Sequence, residues 1–277
     1  MILRASFTQR LEALAPGQWR SFVRDGYRVW SREAAASLDP WTLPWAEVRK
    51  SPEQFDDPKL FKMSSRRTVV RTARTGEPLF VKRALLHGFG ERLGLLVRLP
   101  KEARELLLAL QWRAAGILTP EPVHFAEGID PVKHRPARWL ATRPIPAEAA
   151  DLKELLRKEG LGHPAWLELA RHAAWLHGRD ALHGDFRADH VFRTPAGEFW
   201  LLDLDGSWFG RPVPRPRRVQ ALRQLFQSLA ASGISAGHGT AFVRAYDPPG
   251  RWSLDGAALV AEALARHAAA PRQSRKK

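Results

Sequence analysis

Two short apolar runs, VFR and EFWLL, flank the turn-like TPAG between residues 191 and 202. Runs of this kind on either side of a Pro/Gly turn read as a tight β-hairpin, which must fold the chain back on itself. Carboxylates bracket it: Asp185 stands in the loop HGD before the first strand, and Asp203 ends the second. A hairpin between them returns Asp203 toward the loop that carries Asp185, with His190 at the start of the first strand. A lone loop aspartate is most often a turn or cap residue. Two acids placed this way around one hairpin, with a histidine between, can instead face a common space and serve a metal and a proton transfer.

The rest of the chain is read around this core. Residues 1–58 are rich in Trp and Arg, and Pro40, Pro44 and Pro52 argue for short elements there rather than one long helix. From Leu60 the texture changes: Thr68–Val70 and Leu79–Val81 around RTGEP read as a strand pair, with Lys82 directly after the second run. In PKEARELLLALQWRAAGI the apolar residues Leu106, Leu107, Leu110 and Ala114 share one helical face, between Pro100 and Gly116 as start and stop signals. TPEPVHFAEG and ARWLATRP read as two more strands, and Pro144 and Pro146 mark a hinge. Beyond it HPAWLELARHAAWLHG is an amphipathic helix that delivers the chain into the HGD loop, and mostly helical sequence follows to a basic tail, PRQSRKK. His172 and His177, five apart, point in different directions from one helix and do not form a metal pair. Most of the 11 Trp, Trp166, Trp200 and Trp208 among them, are read as core.

Charge is the outlying bulk property. The 277 residues carry 44 Lys+Arg against 29 Asp+Glu, a net +15, which favours anionic partners. With no cysteine, disulfides and thiolate metal sites are excluded. The first twenty residues are broken by Arg4, Arg10, Glu12 and Arg20, so no signal peptide is expected there, and no apolar run reaches the roughly 18 residues of a spanning helix. The expectation is a soluble cytoplasmic protein, with its charge allowing a peripheral place at a membrane.

HGDFRADHVF followed by LLDLDG, with AGILTPEPV upstream, resembles the lipopolysaccharide kinase family, whose members phosphorylate inner-core heptose or 3-deoxy-octulosonic acid. The resemblance spans about residues 60–246. It implies an α+β, two-lobed protein-kinase-like fold: an N-terminal extension at 1–58, a strand-rich N-lobe at 59–143, a helical C-lobe at 144–270 and a tail at 271–277, with ATP in the cleft between lobes. It further implies that Lys82 pairs with nucleotide phosphates and is held by Glu105, Glu102 being the weaker candidate one helical turn away. Asp185 would accept the proton of the attacking hydroxyl, Arg187 would steady the transferring phosphate, and His190 and Asp203 would hold Mg²⁺. The acceptor would be an anionic glycolipid, with Arg215, Arg217 and Arg218 meeting its acidic groups. No nucleic-acid partner is expected, since one would leave the Asp/His constellation unexplained.

Several positions depart from the wider protein-kinase pattern. KMSSRRTVVRT has no glycine to hug the phosphates, so Ser64, Ser65 and neighbouring arginines would substitute. Gly184 replaces an arginine, Asp205 falls where a glycine is usual, and Ala221 stands where an aspartate would buttress the catalytic loop. Two alternatives therefore stay open: another small-molecule kinase of the aminoglycoside or choline phosphotransferase type, against which His190 speaks, and a nucleotide-binding pseudokinase, favoured by Ala221 and the missing glycines.

Overall fold

The computed structural model describes residues 2–32, 37–63, 67–74, 76–86 and 99–269, with side chains from Phe7 onward. Ser64, Ser65 and the basic tail at 271–277 lie outside the described residues. The chain divides into two compact units, Met1–Ala115 with Pro120–Ile145, and Gly116–Thr119 with Pro146–Lys277.

Among its described residues the first unit is built on a seven-stranded antiparallel sheet in the order β1-β2-β6-β7-β5-β4-β3. The strands are β1 (Arg20–Arg24), β2 (Tyr27–Ser31), β3 (Lys59–Met63), β4 (Arg67–Thr72), β5 (Leu79–Leu85), β6 (Pro122–Ile129) and β7 (Pro136–Thr142). On β5, Leu79, Val81, Arg83 and Leu85 are buried on one face, while Phe80, Lys82 and Ala84 alternate to the other. That period of two is what fixes strand register when both faces are covered.

Residues 1–58 are not a separate extension, and this boundary needs correction. β1 and β2 pair with each other, and β2 pairs with β6, so the N-terminal hairpin continues the sheet. Its turn is Asp25-Gly26, both at positive φ (51° and 79°), the two-residue geometry whose twist matches the strands. α1 (Ile2–Leu14) ends before the first proline, Pro16, so the prolines do not interrupt it. Phe7 and Leu11 on α1 pack with Trp30, Phe125 and Leu140 of the sheet and with Leu106, Leu107 and Leu110 of α3 (Lys101–Ala114). The other sheet face is closed by Leu38, Trp41, Leu43 and, from α2 (Trp45–Lys50), Trp45 and Val48, all buried against Val70, Val81, Ala126 and Trp139. Complete burial of each such side chain contributes roughly 1.5–3 kcal/mol, so these early residues make the sheet a closed core rather than decorating it.

In the second unit, α4 (Leu152–Glu159) is capped by Asp151, whose carboxylate accepts from the N–H groups of Lys153 and Glu154. α5 (Ala165–Gly178) is apolar along the side that buries Trp166, Leu169, Ala170, Ala173 and Leu176. Trp166 meets Phe226 of α6 (Arg215–Ser228) and Phe242 of α7 (Ala236–Tyr246), and α8 (Gly256–Ala269) packs on α6 and α7. A small sheet, β10-β9-β8, carries the hairpin of β9 (Val191–Arg193) and β10 (Phe199–Leu201), with β8 (Ala150–Asp151) on its edge. Among the described residues no helix is long and apolar enough to cross a membrane.

Candidate functional site

In the first unit Lys82 reaches from β5 to Glu105 on α3, its Nζ 2.7 and 3.0 Å from the two carboxylate oxygens. Both side chains are mostly buried, 16% and 15% exposed, so the pair fixes the ammonium in one place. The choice between two glutamates is decided by the helix: Glu102 is buried beside Arg138, 3.8 Å away. Two residues before Lys82, Phe80 shares its side of the strand and meets Phe61 of β3 edge to face at 5.0 Å. Phe61 is 68% exposed, which leaves an aromatic step on which a planar ring can stack.

In the second unit the loop after α5 is held from several sides. His183 is buried, and its Nε2 donates to the carbonyl of Leu202 at 2.8 Å. That bond fixes the tautomer, so Nδ1 accepts the N–H of Asp185 at 3.3 Å. Burial pushes the His183 pKa down to about 4, which keeps the ring neutral in this role. His190 Nδ1 faces the carbonyl oxygen of Asp185 at 3.0 Å and must donate to it, leaving the Nε2 lone pair for another partner. The same Nδ1 lies 3.4 Å from Asp185 Oδ2, whose side chain is 43% exposed and the most open of the group.

The β9–β10 hairpin does what its short apolar runs predict. Its register pairs Leu201 with Val191 and Phe199 with Arg193, and beyond it the N–H of Leu202 bonds to the carbonyl of His190 at 2.9 Å. Asp203, the next residue, has φ 58°, in the left-handed region that aspartate tolerates better than most residues. Such backbone strain persists where surrounding structure over-determines it, and functional sites are where it gathers.

From behind, α6 clamps the loop. Gln224 Oε1 accepts the N–H of Phe186 and its Nε2 donates to the carbonyl of Gly184, both at 3.3 Å, so one amide grips the backbone on either side of Asp185. One turn further along, Ser228 Oγ accepts the N–H of Ala188 at 2.9 Å. In front, a Cβ at Gly184 would fall inside the contact radius of the Asp205 carbonyl and the Gly206 backbone, so only glycine lets the two loops approach. Ser207 Oγ accepts the Gly184 N–H at 2.8 Å on that same side.

Among the described residues no three His, Asp or Glu side chains form a metal-holding group. Asp203 and His190 offer one carboxylate and one imidazole. Mg²⁺ keeps several waters and is commonly held by one or two protein carboxylates together with substrate phosphates, so Asp203 fits such a site, while the His190 imidazole suits softer metals better.

The sequence matches the model of the lipopolysaccharide kinase (Kdo/WaaP) family over residues 62–246, about two thirds of the chain. The chain belongs to that family. It is accordingly a kinase of lipopolysaccharide biosynthesis, a phosphotransferase with the two-lobed α+β architecture of protein kinases. One similar solved structure is described as WaaP in complex with acyl carrier protein; the likeness has a TM-score of 0.50 at 20% identity and covers 79% of this chain and 90% of that one. At that identity it speaks for the fold. A search of curated proteins finds no match.

Against the wider protein-kinase pattern, the missing aspartate at Ala221 has a counterpart. Ala221 is buried, and Gln224, on the same helix face one turn later, makes the loop contacts instead. Its signal was legible only as a polar residue on the buried side of an amphipathic helix. The β1–β2 hairpin was missed too, though DG between SFVR and YRVW is the strongest short-range hairpin signal there is.

Of the three arginines expected at the acceptor, Arg218 needs correction. Arg218 is buried: its guanidinium donates to the carbonyls of Val213 and His177 and to Tyr246 Oη, and stacks over Trp252 at 4.0 Å. It is spent inside the second unit and cannot meet an acceptor. Arg215 donates to the carbonyls of Trp252 and Ser253, and Arg217 donates to Gln220. Arg223, on the same helix, pairs with Glu262 at 2.6 Å. Arg187 forks onto Asp189 at 2.9 and 3.0 Å, a bond that fixes the loop and competes with any phosphate for the guanidinium. His177 bonds to Tyr246 Oη, and His172 packs on Trp175 and Phe199, as structural residues do.

Proposed function

We propose that this kinase transfers the γ-phosphoryl group of Mg·ATP to a hydroxyl of a lipopolysaccharide inner-core sugar, heptose or 3-deoxy-octulosonic acid. The observation that carries the reading is Asp185, an accessible carboxylate on a backbone gripped by Gln224, His183 and His190. A carboxylate so fixed can accept the proton of an attacking hydroxyl as the oxygen–phosphorus bond forms. Phosphoryl transfer asks little more of a protein than in-line positioning and charge neutralisation. Lys82, immobilised by Glu105, supplies fixed positive charge for nucleotide phosphates, and the Phe61–Phe80 step offers a stacking surface for adenine. Asp203 and His190 would hold the metal, which would neutralise charge on the phosphates when bound.

The pseudokinase alternative loses one of its two supports, since Gln224 does the work expected at Ala221. The aminoglycoside alternative is disfavoured by His190 and by the net charge of +15, which suits an anionic acceptor at the cytoplasmic face of the inner membrane.

The test is incubation with labelled ATP, Mg²⁺ and a panel of lipopolysaccharide cores, aminoglycosides and proteins, with and without an acyl carrier protein, the partner in the similar solved complex. Label should enter a lipopolysaccharide core, and Asp185→Ala and Asp203→Ala should each abolish transfer while the protein stays folded. Asp203→Ala should also weaken Mg·ATP binding, whereas Asp185→Ala should leave it nearly intact. Label in another acceptor, or full turnover by both variants, rejects the reading.

A further inference from the structure

Three of the most exposed aliphatic side chains in the described structure lie at one end of the first unit's sheet: Val23 (70% exposed), Ile129 (54%) and Val132 (45%). The ends of two hairpins bring them together. β2 runs antiparallel to β6 with Arg28 opposite Glu127, so the Asp25-Gly26 turn lies beside the end of β6, where Tyr27 Oη donates to the carbonyl of Ile129 at 2.9 Å. Val23 pairs with Arg28, and Arg28 with Glu127, two residues before Ile129, so Val23 and Ile129 share one sheet face, about 12 Å apart across two strand spacings and two residues of rise.

The neighbouring turn is rigid. Asp130 is fully buried, bonds to Arg83 at 2.9 Å and accepts the N–H groups of Val132 and Lys133. Its own N–H donates to the carbonyl of Arg135, and its carbonyl accepts from His134. A buried ion pair thus fixes a turn whose outermost side chains are an exposed valine and the exposed Lys133, His134 and Arg135. Nothing about these turns forces the aliphatic residues outward, since polar side chains would serve the same geometry.

The chemistry selects what covers them. The residues are aliphatic rather than the aromatics that anchor protein interfaces, and they sit on projecting hairpin ends instead of lining a groove. Cations flank them; the acids there are Asp25, exposed on the first turn, and Glu127, half-buried opposite Arg28. Apolar tips set among cations fit a lipid surface carrying anionic headgroups.

We propose that the adjoining ends of the β1–β2 and β6–β7 hairpins dock the protein on an anionic lipid bilayer. Val23, Ile129 and Val132 enter the acyl boundary, and Arg28, Lys133 and Arg135 meet headgroup phosphates. The purpose of such docking rests on the lipopolysaccharide-kinase reading, but the binding itself needs neither nucleotide nor acceptor sugar.

The test is flotation of the full chain with vesicles of phosphatidylglycerol and phosphatidylethanolamine, against phosphatidylcholine alone, at about 0.1 M and about 1 M salt, where screening lengths are ~10 and ~3 Å. The wild type should float with the anionic vesicles. Val23→Ser, Ile129→Ser and Val132→Ser together should lower its partition coefficient about tenfold or more at both salts. Arg28→Gln with Lys133→Gln should lower it only at low salt and only on anionic vesicles. Matching thermal melts establish that the variants are folded. The proposal is overturned if the wild type stays off anionic vesicles, if the aliphatic triple variant floats as the wild type does, or if the triple variant instead abolishes self-association in lipid-free solution. Should no acceptor take label while the triple variant still loses vesicle binding, the functional reading fails and the docking surface stands.

Discussion

Replacing Gln224 by leucine removes the clamp on the Asp185 loop with little change in volume. Two hydrogen bonds of 3.3 Å are lost, and both are longer than the usual 2.9–3.0 Å, so each contributes toward the lower end of 0.5–1.5 kcal/mol. The larger cost is the Phe186 N–H, left without a partner beside a side chain only 2% exposed, which adds about 1–3 kcal/mol. Because the amide grips the backbone on both sides of Asp185, the cost falls on the position of that carboxylate. If about 1–3 kcal/mol is lost from the transition state alone, kcat drops roughly five- to 150-fold. KM for ATP should be unchanged, because Gln224 touches the loop that serves the acceptor hydroxyl. Gln224→Glu should fall between, since it keeps an acceptor for the Phe186 N–H but sets a carboxylate oxygen against the Gly184 carbonyl. Steady-state kinetics with saturating acceptor, paired with thermal melts, separates this from general destabilisation. A Gln224→Leu enzyme with wild-type kcat, or one whose only defect is a raised KM for ATP, refutes the assignment of Gln224 as a positioning residue.

Gly184→Ala should lose most activity, because the new methyl must push away the backbone at Asp205 and Gly206; activity near wild type would show that the two loops separate freely. Arg218→Gln should destabilise the protein by about 3 kcal/mol in urea unfolding, because two carbonyls and the Tyr246 hydroxyl lose a charged donor, while Arg217→Gln should change stability little. Acid should weaken the fold through buried histidines: burial lowers the pKa of His172 and His183 to about 4 and that of His177 to about 3, all below the unfolded value of about 6.5. The unfolded chain then binds protons first, so stability present above pH 6.5 is lost as pH falls toward 4, on the order of 2 kcal/mol per histidine by pH 5. Urea midpoints at pH 7.5 and pH 5 check this, and equal midpoints would mean that these rings are protonated as easily inside the fold as outside it.

What the sequence determined by itself was everything carried by local pattern. The strand pair around RTGEP, the helix that holds Glu105, the helix into HGD and the VFR–TPAG–EFWLL hairpin all announce themselves through periodicity and turn residues, because each is set by neighbours a few positions away. The placing of Lys82, Glu105, Asp185, His190 and Asp203 as site residues came from the resemblance of HGDFRADHVF, LLDLDG and AGILTPEPV to the lipopolysaccharide kinase family. The tertiary structure alone decided the rest. That residues 1–58 complete the sheet depends on β2 finding β6, a partner almost a hundred residues on, and no local signal encodes that pairing. An arginine cluster that reads as an anion-binding loop is split by packing: Arg218 goes inside because acceptors from two distant segments, at His177 and Tyr246, converge on it with the nearby Val213 carbonyl, while Arg217 stays in water. The loop support moved from the expected Ala221 to Gln224 for the same reason. Hydrogen-bond partners are chosen by which atoms end up within about 3 Å, and only the folded chain sets those distances.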